Sequence, residues 1–158
     1  MMTGDSVDEL ASLLRSIEKT TDWEFDRDNF DDRFRMQKFV FFAKEYGIDT
    51  GHSYGIHLHG PYSPELAEDY YSDKFDRVRT IAPSVDDFEA ERFDRDIAQQ
   101  DKDWLEIAAT IKSVADRHST WNAKNTRSEV VKRVCELKEV PRNRVDDIFS
   151  ELQEMNLL

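Results

Sequence analysis

Residues 54–71 read YGIHLHGPYSPELAEDYY, and they place a strand, a turn and a helix start within one short stretch. Tyr54, Ile56 and Leu58 alternate with Gly55, His57 and His59, the two-residue period of a strand with one buried face. Gly60-Pro61 ends it, because proline brings no N–H to a ladder and glycine accepts backbone angles closed to other residues. Ser63-Pro64-Glu65 then reads as an N-cap, a first helical residue and a carboxylate at the positive end of a new helix.

On the N-terminal side, Ser6-Val7-Asp8-Glu9 has the form of a capping box, followed by Leu10, Leu13, Leu14 and Ile17 at helical spacing. A second helix is predicted from Asp31-Asp32 to about Tyr46, apolar around nearly its whole circumference and hence central to the core, with Gly47 as its C-cap. The third helix is read from Pro64 to about Val78. A short amphipathic helix follows around Phe88, Phe93 and Ile97, and a long one carries Trp104, Ile107, Ala108, Ile111, Val114 and Ala115. Two more, 128–138 and 142–155, are separated by Pro141. The expected fold class is therefore mainly α (α+β): one globular domain over 1–158, with about six helices, a small β element ending in a Gly-Pro turn, and a C-terminal helix-turn-helix-like pair.

The 158 residues include 18 aromatics and carry a formal charge of -12, with 20 Asp against 14 Glu and only 9 Lys. An Asp-rich, Lys-poor surface suits a protein that must stay hydrated in concentrated salt, where repulsion is screened at short range, so a halophilic setting is expected. One cysteine, Cys135, excludes an internal disulfide and fits a reducing compartment. With no basic leader and no apolar run of membrane-spanning length, a cytoplasmic protein with no membrane partner is expected.

Against the acidic mean, residues 120–144 hold seven basic residues (Lys124, Arg127, Lys132, Arg133, Lys138, Arg142, Arg144) and three acidic ones. This island coincides with the final helix pair, and Arg142-Asn143-Arg144 opens the last helix, where a helix-turn-helix reader places its base and phosphate contacts. Lys124, Arg127, Lys132, Arg133, Arg142, Asn143 and Arg144 are thus the candidate nucleic-acid residues. The ordinary alternative is ion pairing with neighbouring carboxylates.

Other chemistry is sparse. His57 and His59 share a strand face and would suit a divalent metal if His52, Glu65 or Asp69 completed the set, but spacing fixes no third ligand, so no metal and no cofactor is expected. Ser63 lacks a glycine-flanked nucleophile elbow and is read as a cap, and the few glycines form no phosphate loop; no catalytic residue is assigned. Arg35 and Lys38 lie three apart on the polar stripe of the second helix, where pairing with Glu65 or Asp69 is the ordinary reading.

Arg35-Met36-Gln37-Lys38-Phe39-Val40-Phe41-Phe42-Ala43, then Tyr54 and His59-Gly60-Pro61-Tyr62-Ser63-Pro64-Glu65-Leu66, resemble the signature of the YwgA-like family over about a third of the chain. A more distant likeness is to the Panacea domain of SocA-type antitoxins, from whose usual form the Gly60-Pro61-Tyr62 turn departs. The resemblance implies a mostly helical fold with a small β element, a link to defence functions or an antitoxin or adaptor role, and a partner surface at Arg35, Lys38, His59, Gly60, Pro61 and Tyr62, to which the strand reading adds His57. The expected function is a non-enzymatic regulatory or protein-interaction module, antitoxin-like or defence-associated, with a partner protein. The alternative is a DNA-binding regulator using the C-terminal helix pair, and a third reading is a metal-dependent hydrolase at His57 and His59. Nothing in the sequence fixes the oligomeric state.

Overall fold

A computed structural model describes residues 5–118 and 126–158. Among them are eight α-helices and a two-stranded antiparallel sheet, a mainly α protein. The helices are α1 (Ser6–Thr20), α2 (Phe30–Ala43), α3 (Pro64–Tyr71), α4 (Asp73–Val78), α5 (Ala90–Phe93), α6 (Lys102–His118), α7 (Thr126–Lys138) and α8 (Arg142–Glu154); the strands are β1 (Gly55–His57) and β2 (Gly60–Tyr62). The chain divides into two compact units, residues 1–55 with 62–100, and residues 56–61 with 101–158.

In the first unit, α1 buries Leu10, Leu13, Leu14 and Ile17, and α2 buries Phe34, Met36 and every residue from Gln37 to Ala43. The aromatic rings meet edge to face, the arrangement that ring quadrupoles favour: Phe39 on Phe93 at 5.5 Å, Tyr46 on Phe93 at 5.5 Å, Phe25 on Tyr70 at 5.4 Å. The helical run of α5 widens into a π turn, Asp94–Ala98, within which buried Asp96 accepts from the Tyr46 hydroxyl at 3.0 Å.

Three boundaries differ from the sequence reading. The cap of α1 is Asp5, whose carboxylate accepts from Asp8 N at 3.0 Å, while Ser6 donates instead to Asp69 Oδ2 at 2.6 Å. The helix expected over 64–78 breaks at Ser72, which is extended (φ -75°, ψ 152°) and whose hydroxyl caps α4 by accepting from Phe75 N at 3.2 Å. The strand expected over 54–59 stops at His57. Leu58 and His59 form the hairpin turn, Gly60 closes it at φ +88°, and Gly60-Pro61 already belongs to β2. A turn followed by a left-handed glycine is a regular way to close a hairpin, and Pro61 is tolerated because a two-stranded sheet consists of edges.

Ser63 is the predicted cap of α3. Fully buried, it accepts from Leu66 N at 3.1 Å, with Pro64 as first helical residue. Ser63→Ala is expected to lower stability by about 1 kcal/mol, read as a shift in the urea midpoint at constant slope. An unchanged midpoint would mean that the helix start is held by its proline and its packing alone.

Within the second unit α6, α7 and α8 pack together around Leu105, Ile111, Val131, Val134, Ile148 and Leu152, all fully buried. Residues 139–141 join α7 to α8, with Glu139 left-handed at φ 51° and Pro141 as the residue before α8.

Candidate functional site

The residues expected at a partner surface separate by burial. Lys38 is 2% exposed, its ammonium 4.6 Å from the centroid of the Phe34 ring, and Gly60 and Pro61 are buried; Tyr62 is half-buried. A glycine is required at position 60 on two counts: its left-handed backbone, and a Cβ there would stand 3.0 Å from Thr110 Oγ1 and 3.3 Å from Glu106 O. Lys38, Gly60 and Pro61, expected at a partner surface, are thus buried. What is exposed is the hairpin tip, His57, Leu58 and His59.

Leu58 is 82% exposed, against the inward position that alternation assigns it. Its backbone is nonetheless held. Lys138, at the end of α7, donates to Leu58 O at 2.8 Å and pairs with Glu106, whose second oxygen lies 3.4 Å from His59 Nδ1. The Lys138 side chain is 9% exposed, so this pair sits largely out of water and is screened less than a surface pair. The tip thus has a fixed main chain and an unburied leucine.

His52 has both ring nitrogens engaged, Nδ1 with Thr50 Oγ1 and Nε2 with Asp69 Oδ2, each at 2.6 Å, whereas His57 and His59 lie at the tip. Among the described residues no group of three metal-ligating side chains comes together. The pairing expected of Arg35 with Glu65 or Asp69 is also replaced: Arg35 donates to Gln100 O at 3.0 Å, Glu65 accepts from Ser53 N at 3.0 Å, and Asp69 takes Ser6 and His52.

Three arginines of the basic island are engaged by residues outside it. Arg127 bonds Gln153 and Ser150 at 2.9 Å each and stacks 4.5 Å over Phe149; Arg142 lies 3.8 Å from Asp146, and Arg144 3.2 Å from Asp103. Lys132, Arg133 and Asn143 are exposed, and Lys124 lies outside the described residues. Each of the exposed arginine pairs is worth under about 1 kcal/mol.

Sequence reasoning missed a cleft in the first unit, a cavity of about 300 Å³ lined by Thr21, Asp22, Trp23, Arg35, Phe39 and residues 98–100. Only the π turn signals it: such widened turns recur at functional sites, but their position cannot be read from residue spacing. Among the described residues no helix is long and apolar enough to cross a membrane. No family model, no curated protein and no solved structure matches this chain.

Proposed function

We propose that the protein is a non-enzymatic interaction module, antitoxin-like or defence-associated, that seats Leu58 in an apolar pocket of a partner protein. The observation that carries this reading is Leu58 at 82% exposure on a turn whose carbonyl Lys138 holds. A lone exposed leucine is ordinary on a protein surface; one on a braced main chain is pre-organised, so docking it orders little further backbone. Burying it contributes about 2 kcal/mol, or some thirtyfold in affinity. The test is co-purification from the encoding organism with wild type and Leu58→Asp. A protein retained by the wild type and lost from the folded variant supports the reading. Nuclease-sensitive material that persists in Leu58→Asp and disappears in Arg142→Ala/Arg144→Ala overturns it in favour of DNA binding.

The charge of -12 supports a second inference, that the surface is adapted to high salt. Raising KCl from about 0.1 M to about 1 M shortens the screening length from about 10 Å to about 3 Å and relieves repulsion among carboxylates. The thermal midpoint is expected to rise across that range; one that stays flat or falls removes the inference.

A further inference from the structure

We infer that the cleft between Trp23 and Gln100 in the first unit binds a small monocarboxylate with an apolar body. This inference is independent of the hairpin tip. The cleft is prepared for such a ligand. Trp23 is fixed by its indole N–H, donated to Asp32 Oδ1 at 3.0 Å, and by its backbone N–H, donated to Thr21 Oγ1 at 3.1 Å. Its ring meets Phe39 edge on at 5.1 Å, which supplies an apolar wall. Arg35 supplies the polar group. It gives one N–H to Gln100 O at 3.0 Å, which holds the guanidinium against the chain leaving the π turn; a guanidinium carries five donors in a fork that matches a carboxylate. Asp22 lines the same space and repels a second negative charge, which favours a monocarboxylate over a phosphate. The cavity of about 300 Å³ lies at the lower end of the range for small-molecule sites, enough for a ligand of about ten heavy atoms.

The test is an NMR titration of the full chain with 3-phenylpropionate, 3-phenylpropanol and inorganic phosphate. The expected result is saturable movement of the Trp23 indole and Gln100 amide signals with the carboxylate, with the neutral alcohol binding at least about tenfold more weakly because it lacks the charge-assisted bond. Arg35→Gln is expected to abolish the preference for the carboxylate. Ala98→Phe, which fills the cleft and leaves Arg35 in place, is expected to abolish binding of both organic probes, and it decides the matter alone if Arg35→Gln does not fold. Equal affinity for the alcohol, tighter binding of phosphate, binding indifferent to both substitutions, or no saturable movement in the wild type would each overturn the inference.

Discussion

Replacing Gly47 by alanine is expected to lower stability by about 3 kcal/mol, with a fall of about 6–12 °C in thermal midpoint for a chain of this size. Two costs combine. Gly47 sits at φ +111°, where an L side chain costs about 1–2 kcal/mol, and a Cβ there would stand 2.2 Å from Asp87 O, so backbone must move at a further 1–3 kcal/mol. The displaced segment is already tied, since Glu89 N donates to Tyr46 O at 2.8 Å. Gly51→Ala is the control: φ is +82° but nothing lies within 4 Å, so only the backbone cost of about 1–2 kcal/mol is expected. Equal losses for the two variants would show that the close approach of Asp87 relaxes freely.

Gln37→Met should be nearly as damaging, at about 2–3 kcal/mol. The Gln37 side-chain amide addresses the backbone of one residue in both directions: Nε2 donates to Ser63 O at 3.0 Å, and Oε1 accepts from Ser63 N at 2.8 Å, with Gln37 only 2% exposed. Methionine fills the volume and offers neither group, leaving the Ser63 N–H buried without its acceptor; Ser63 O keeps Ala67 N at 3.2 Å. Tyr70 is buried in the same unit, where burial pushes its phenol up to about 12 against a smaller opposing effect of its bond to Gln37. Because Gln37 positions the residue that caps α3, Gln37→Met and Ser63→Ala should be non-additive, with coupling of at least about 0.5 kcal/mol in a double-mutant cycle followed by urea denaturation. Strict additivity would separate the cap from its anchor.

These two residues explain what was legible and what was not. The Ser63 cap could be read because serine, proline and glutamate act on the first turn that follows them. The core character of α2 could be read because apolar residues surround it. The hairpin was misplaced by two residues because the need for Gly60 is tertiary: its near neighbours, Thr110 and Glu106, lie some fifty positions away. Ser72 was within reach of sequence reasoning, since a serine before an aspartate is a cap signal, but the apolar spacing of Tyr71 and Phe75 masked it. The Arg35 cleft was beyond it, because Trp23 and Gln100 share a wall only through the fold. Gln37 with Ser63 serves to hold a helix start.

The six residues 56–61 belong to a unit whose remainder begins at 101. A nick anywhere in 62–100 would therefore give two fragments that each hold a piece of the same unit. The C-terminal piece alone would lack the Leu58 carbonyl that Lys138 holds and the glycine that lies against Glu106 and Thr110. During synthesis the hairpin tip leaves the ribosome before any of the helices that complete its unit, and it has to wait for them. Split-protein work on this chain should accordingly place its break outside that interval, or expect reassembly of the halves to depend on concentration.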